Sequence, residues 1–112
     1  MTILPLFVAM LCGHALCDYA LQSEWMARNK SRRTSDDTRC RWQYVLSAHA
    51  LIHAGAVMAV TGRWELGLAE FLIHWLADFS KAEGWWGIDI DQSIHVACKV
   101  VWACVAVSVS WR

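Results

Sequence analysis

The ionisable residues in the apolar parts of this sequence occur as pairs with a spacing of four. The four pairs are His14 and Asp18, His49 and His53, His74 and Asp78, and Asp91 and His95. Together they use all five histidines of the chain. Because side chains four residues apart lie one turn from each other on one face of an α-helix, each pair can offer two ligands to one metal ion.

Four apolar segments contain these pairs. They run from about Thr2 to Gln22, from Gln43 to Thr61, from Leu66 to Phe79 and from Ile88 to Trp111. A helix needs about 20 apolar residues to cross a bilayer core of about 30 Å, and three of the segments are long enough. The third is shorter and contains Glu70, so it either enters the membrane with its neighbours or lies partly in the interface. The first lacks the charged start and the cleavage site of a signal peptide, which predicts a retained helix.

The composition fits a membrane protein. Of 112 residues, 57% are apolar and only 18% are charged, which excludes intrinsic disorder. The ten basic residues only balance the ten acidic ones, which argues against a nucleic-acid partner, and one proline with six glycines argues against an all-β fold. Tryptophans are frequent near the segment ends, as is typical of membrane–water interfaces: Trp25, Trp42, Trp64, Trp85, Trp86 and Trp111. We expect an all-α integral membrane bundle of about four helices, the third short; a soluble four-helix bundle is the alternative.

The basic residues predict the orientation. Residues 28–41 hold six of the ten lysines and arginines, so this loop is expected in the cytoplasm. Residues 1–112 then form a single membrane-embedded helical domain. With a rise of about 1.5 Å per residue, the paired residues lie about 3 to 15 Å from the helix ends on the side of this loop. The sequence therefore predicts one polar layer in the cytoplasmic half of the bilayer.

Such a layer is suited to metal binding, because ionisable groups at membrane depth usually face the bundle interior, where helical bundles build metal sites. The predicted ligands are His14, His49, His53, His74, His95, Asp18, Asp78 and Asp91. They outnumber the four ligands of a zinc ion, so the chain could hold one metal with supporting aspartates, or two metals. Zinc is the first expectation, with manganese and iron as alternatives. One of Asp18, Asp78 or Asp91 would be the catalytic ligand or general base for an activated water. A proton relay is the main competing interpretation.

Further polar residues flank the layer. Gln22 and Gln92 are predicted to hydrogen-bond to a substrate and orient it, or to be solvated at the interface. Lys81 is predicted to bind an anionic group such as phosphate, with Arg28 and Lys30 nearby; the alternative is that these cations only set the topology.

Several runs of the sequence form a specific combination. They are His14-Ala-Leu-Cys-Asp18-Tyr-Ala-Leu-Gln22, Trp25-Met26-Ala27, Asn29-Lys30, His49-x-x-x-His53, His74-x-x-x-Asp78-Phe79-x-Lys81 and Asp91-Gln92-x-x-His95. This combination resembles a domain-of-unknown-function family, number thirty-three-zero-seven, of small bacterial and phage membrane proteins. The resemblance covers nearly the whole chain, with Tyr19 where phenylalanine is more usual. The family brings no established activity. A looser similarity to membrane proteins described as metal-dependent hydrolases implies a multi-pass location in the bacterial inner membrane and hydrolase chemistry.

Three functions are compatible with these observations. The first is a metal-dependent hydrolase that acts on a phosphorylated or ester-bearing amphiphile from the cytoplasmic side. The second is a non-enzymatic membrane accessory protein that binds a host membrane partner. The third is an oligomeric proton or ion conductor. The expected partners are the lipid bilayer and a second copy of the chain or a host membrane protein, with no nucleic acid.

Overall fold

Five α-helices form the described part of the chain, which is residues 2–109 of a computed structural model. They are α1 (Ile3–Ala15), α2 (Glu24–Asn29), α3 (Trp42–Thr61), α4 (Trp64–Ala82) and α5 (Ile88–Ser108), and a π-helical turn (Leu16–Ala20) continues α1. No β-strand occurs within residues 2–109. The prediction of an all-α bundle is therefore confirmed, with α2 as a short additional helix.

Helix α4 is longer than the apolar segment that predicted it. That segment covered only residues 66–79, whereas the helix spans 19 residues. Its polar ends are stable as helix because Glu65 in the first turn and Lys81 in the last turn complement the helix dipole. The fourth predicted segment reached Trp111, which lies outside the described residues.

Three helical stretches of the described chain are long and apolar enough to cross a membrane: Ile3–Ala20, Trp42–Thr61 and Ile88–Ser108. Many large apolar side chains lie on the outside of the bundle, and many ionisable side chains are buried inside it. Leu4 and Leu76 are 69% and 60% exposed, whereas His49 and Asp91 are fully buried. Lipid contact makes the exposed leucines favourable, and the protein interior is where a membrane protein places its charges.

Helices α3 and α4 form a tight antiparallel hairpin. Gly62 ends α3 with a φ of 70°, a left-handed conformation that glycine adopts without steric cost. Further along the hairpin, a Cβ atom on Gly67 would collide with the side chain of Met58. The two backbones therefore approach closely, which brings the histidine pair of α3 against the polar face of α4.

An apolar cluster fills the end of the bundle that is remote from residues 28–41. It consists of Leu6, Met10, Val57, Leu66, Trp102 and Ala103. Next to it lies a buried ion pair between α4 and α5. Lys99 donates from Nζ to Oε1 of Glu70 at 2.5 Å, and Trp102 donates from Nε1 to Oε2 at 2.7 Å. Both charged residues are only 1% exposed, so each carries the cost of desolvation and depends on the other.

The basic segment 28–41 is folded around one buried asparagine. Oδ1 of Asn29 accepts hydrogen bonds from the backbone of Asp36 and Asp37 at 3.0 and 2.9 Å and from Oγ of Ser35 at 3.2 Å. Its Nδ2 donates to the carbonyl of Trp25 at 3.0 Å. One side chain thus joins α2 to the loop that follows it.

The same segment is held against the end of α4 by an ion pair. The guanidinium of Arg32 donates two hydrogen bonds to Glu83, at 2.7 and 2.8 Å, and Nε of Arg33 lies 3.3 Å from the same carboxylate. The hydrogen bonds from Arg32 hold the pKa of the Glu83 carboxyl below its usual value. Residues 28–41 and the connection between α4 and α5 therefore lie at the same end of the bundle, as the alternation of helices predicts.

We expect Asn29→Ala to loosen this loop. The substitution leaves two backbone N–H groups without an acceptor, at a cost of about 1 to 3 kcal/mol. Trypsin should then cleave within residues 28–41 about tenfold faster or more, since about 1.4 kcal/mol corresponds to a factor of ten. Ser35→Ala, which removes a single bond of the same cluster, is the control. Equal cleavage rates for wild type and Asn29→Ala would contradict this role.

We expect Lys99→Met to destabilise the bundle by about 3 to 5 kcal/mol, because it leaves the carboxylate of Glu70 buried without its cation. The double variant Glu70→Gln/Lys99→Met should recover most of that loss, since no charge remains to be desolvated. The free energy of unfolding in mixed detergent micelles measures both. If the double variant is no more stable than Lys99→Met, the loss of stability in Lys99→Met does not come from the unpaired charge of Glu70.

Candidate metal centre

Each of the four long helices contributes one pair of ionisable residues to a common polar layer. Helix α1 and its π-helical turn bring His14 and Asp18, α3 brings His49 and His53, α4 brings His74 and Asp78, and α5 brings Asp91 and His95. All five imidazoles are at most 6% exposed, and the centroids of neighbouring rings are close, at 3.8 Å for His53 with His74 and 4.3 Å for His74 with His95. The structure therefore brings together all eight residues that the sequence singled out as ligands.

The π-helical turn determines where the first of these pairs lies. Leu21 donates from its backbone to the carbonyl of Leu16 at 2.9 Å, which closes the wider turn around Asp18. Turns of this kind are often found at functional sites, because they redirect one side chain without breaking the helix. Here Oδ1 of Asp18 reaches His53 Nε2 at 2.8 Å and His49 Nε2 at 3.3 Å, on the opposite helix.

One group of four residues has the composition of a tetrahedral metal site. Ligand atoms of Asp18, His49, His53 and His74 all lie within 4.8 Å of one another. Ligands 2.0 to 2.2 Å from a zinc ion would be about 3.3 to 3.6 Å apart. The separation of 3.3 Å between His49 Nε2 and Asp18 Oδ1 falls in that range. Nitrogen and carboxylate oxygen are also the donors that zinc accepts.

Unsatisfied polar atoms point to the same place. His49 and His74 are fully buried, and neither ring nitrogen of either residue has a hydrogen-bond partner among the described residues. Buried polar atoms without a partner are uncommon, because no hydrogen bond compensates the free energy that is lost when they leave water. A cation between these nitrogens would satisfy one nitrogen of each ring, so the residues present fit a metal.

A second group lies beside the first. It consists of Asp78, Asp91 and His95, again with ligand atoms within 4.8 Å of one another. His95 Nε2 is 3.3 Å from Asp91 Oδ2 and 3.6 Å from Asp78 Oδ1. Lys30 donates from Nζ to Asp78 Oδ2 at 2.9 Å, and Lys81 Nζ is 3.6 Å from Asp91 Oδ2. Positive charge from the segment 28–41 and from the end of α4 therefore accompanies these carboxylates.

The ion pair in the bundle interior also reaches this layer. Glu70 Oε1 is 3.5 Å from Nδ1 of His74, the nitrogen that faces away from Asp78. A carboxylate behind a ligating imidazole fixes the orientation of the ring. Glu70 lies four residues before His74, so the spacing puts it on the same face of α4. Lys99 lies four residues after His95 on α5, and the sequence analysis missed it.

The three predicted substrate-binding residues line one small cavity. This cavity has a volume of about 90 Å³, and its wall consists of Asp18, Tyr19, Gln22, Lys30, Lys81, Ile88 and Gln92. Gln92 bridges His14 and Asp18, at 3.1 Å to His14 Nε2 and 3.4 Å to Asp18 Oδ2. Gln22 donates to the main-chain carbonyl of Asp18 at 3.2 Å, and its own Oε1 is buried without a partner. The cavity thus gives access to the metal-ligand layer past polar groups.

The two other cations expected near an anion are already paired. Lys30 binds Asp78, and it is 9% exposed. Arg28 donates to Oδ2 of Asp36 at 3.0 Å, within the exposed part of the loop. Lys81, with 29% of its side chain exposed, is the cation of the cavity wall that is more accessible to solvent.

The family model described as "Protein of unknown function (DUF3307)" matches residues 6–112. A search of curated proteins finds no match, and neither does a search of solved structures. The matched region contains all four ligand pairs and the residues of the cavity wall, which agrees with the resemblance found in the motifs. Because the match covers nearly the whole chain, the chain belongs to the DUF3307 family of proteins of unknown function.

Proposed function

We propose that this protein is an integral membrane, metal-dependent hydrolase of the bacterial inner membrane. Its substrate would be a phosphorylated or ester-bearing amphiphile that enters from the cytoplasmic side. The observation that carries the proposal is the convergence of buried histidines and aspartates directly behind a polar cavity. Three helices of the described chain are long and apolar enough to cross a membrane, which supports an amphiphilic substrate that would arrive from the lipid surface.

Asp18, His49, His53 and His74 would hold the metal, with zinc as the best fit to three nitrogen ligands and one oxygen ligand. A divalent metal held by these four side chains would have to accept water as an additional ligand; it would then supply Lewis acidity and a nucleophile near neutral pH. Glu70 would orient His74 from Nδ1, at 3.5 Å, which leaves Nε2 for the metal, 3.4 Å from Asp78.

Asp18 is the residue that links the ligand group to the cavity, since it belongs to both. Its Oδ1 faces His49 and His53, while its Oδ2 lies 3.2 Å from His14 Nε2. The carboxylate would accept a proton from the attacking water, while the N–H of His14 Nε2, which donates to Oε1 of Gln92, would stabilise its Oδ2. As the new bond to phosphorus or to the acyl carbon forms, the ester bond breaks, and the proton returns to the departing oxygen.

Lys81 and the two glutamines would hold the polar part of the substrate. Lys81 offers a cation at the cavity wall, and Oε1 of Gln22 is an acceptor that lacks a partner among the described residues. A phosphate ester would gain from Lys81 more than an uncharged carboxylic ester would, because only the phosphate carries a charge.

We expect protein purified without chelators to contain stoichiometric zinc, and His53→Gln and His74→Gln to lose most of it because each removes one of four ligands. Elemental analysis with protein quantification measures this. Cys17→Ala is the matched control, because Cys17 is buried in the same turn as Asp18 but belongs to none of the ligand groups. Circular dichroism verifies that the variants remain helical. Absence of metal from the wild-type protein would contradict the proposal.

We expect the metal-loaded protein to hydrolyse dodecyl phosphate in mixed micelles, and Asp18→Asn to lower kcat by about 10² to 10⁴ or more, since both the general base and one metal ligand are lost. Lys81→Met should raise KM for dodecyl phosphate about tenfold and leave KM for p-nitrophenyl laurate unchanged, since losing about 1.4 kcal/mol of binding is a factor of ten. Cys17→Ala again serves as control. If metal-loaded wild type hydrolyses neither compound, a non-enzymatic role in a membrane complex replaces this proposal.

A further inference from the structure

We propose that the polar layer holds two metal ions, with Asp78 as the carboxylate that bridges them. This inference rests on the proposed function, because the first ion is the one held by Asp18, His49, His53 and His74. The second ion would be held by Asp91 and His95 together with Asp78. Of the three ligand groups among the described residues, two share no member and would each hold one ion; the third, Glu70 with His74 and His95, overlaps both.

The two groups have no residue in common. One contains three imidazoles and one carboxylate, and the other contains two carboxylates and one imidazole. Each has ligand atoms within 4.8 Å of one another, so each is compact enough for one ion. A single four-coordinate ion would use only one of the groups and would leave the other as buried charge.

Asp78 touches both groups through different oxygens. Its Oδ2 lies 3.4 Å from Nε2 of His49 and 3.4 Å from Nε2 of His74, both in the first group. Its Oδ1 lies 3.6 Å from Nε2 of His95, in the second group. A carboxylate in this position binds one ion with each oxygen, and ions in two-metal sites are about 3.5 to 4 Å apart.

The carboxylate of Asp91 supplies the independent observation. Asp91 is fully buried, and neither of its oxygens has a hydrogen-bond partner among the described residues. The other two carboxylates of the layer are hydrogen-bonded, Asp18 by Gln92 and Asp78 by Lys30. His95 Nε2 faces Asp91 at 3.3 Å and also lacks a hydrogen-bond partner there. A buried carboxylate and imidazole directed at each other in this way offer two ligands to a cation, which would offset the cost of burying the carboxylate.

Two ions narrow the substrate class to phosphate esters. A pair of ions is suited to in-line displacement at phosphorus, where both the attacking and the departing oxygen carry negative charge. The position of Lys81 also favours an anionic substrate. Its ammonium group lies at the cavity wall and 3.6 Å from Asp91 of the second group. An anionic headgroup in the cavity would therefore contact Lys81 beside the second ion.

The metal content of the intact protein tests the inference. Wild type loaded with Mn²⁺ in detergent should contain about two ions per chain and give the electron paramagnetic resonance signature of a spin-coupled pair. Asp91→Asn and His95→Gln should each reduce the content to about one uncoupled ion, and Cys17→Ala should retain about two. Asp78→Asn should abolish the coupling.

Any other metal content or coupling would overturn a specific part of the proposal. One ion in wild type overturns the second site and leaves the proposed function intact. Two uncoupled ions overturn the bridging role of Asp78. No ion in wild type overturns the proposed function and this inference together. The decisive result is that of wild type, so a variant that fails to fold does not affect it.

Discussion

The cost of burying ionisable groups inside an apolar bundle governs the arrangement of this molecule. Five imidazoles and three aspartates share one layer, and the bundle around them exposes leucine and valine. Such groups stay buried only if partners or cations compensate their lost hydration. Every pair is therefore placed against another helix: Asp18 of α1 against α3, and Asp78 of α4 against α3, α5 and the loop. These contacts between polar side chains fix the positions of the helices relative to one another, which apolar surfaces alone specify less precisely.

The loop at the polar end follows from the same requirement. A segment rich in arginine and lysine does not need a fixed structure to set the orientation of a membrane protein. Here Asn29 orders it, and Arg32 fixes it to Glu83 beyond the end of α4. The result is that Lys30 reaches Asp78 and places an ammonium group against the layer. Residues 28–41 thus contribute a positive charge to the bundle interior, which explains why an exposed segment is so closely bonded.

The helices and the ligand pairs could be predicted because they depend on short-range periodicity. A spacing of four, repeated in four apolar segments, is visible without knowing how the helices pack. The π-helical turn around Asp18 was not predictable, because its residues are ordinary helix formers and the wider turn depends on the partners that Asp18 finds on α3. Lys99 was missed for another reason: a lone lysine in an apolar run gives no indication of its partner, although Glu70 lay on a face already recognised. Pairing between helices depends on the tertiary structure.

The two ends of the bundle differ in a way that favours chemistry over conduction. At one end, the cavity lined by Lys81 and Gln92 leads to the ligand layer. In the other direction, the last charged groups of the described interior are Glu70 and Lys99, which neutralise each other, and the apolar cluster around Leu6 and Val57 follows. An ion that crossed the membrane through one copy of the chain would have to pass that cluster without ligands, at the desolvation cost that excludes charges from hydrocarbon. Within the described residues, the cavity beside Lys81 leads to the layer, which is compatible with the proposed hydrolysis of a headgroup that enters together with water from that face.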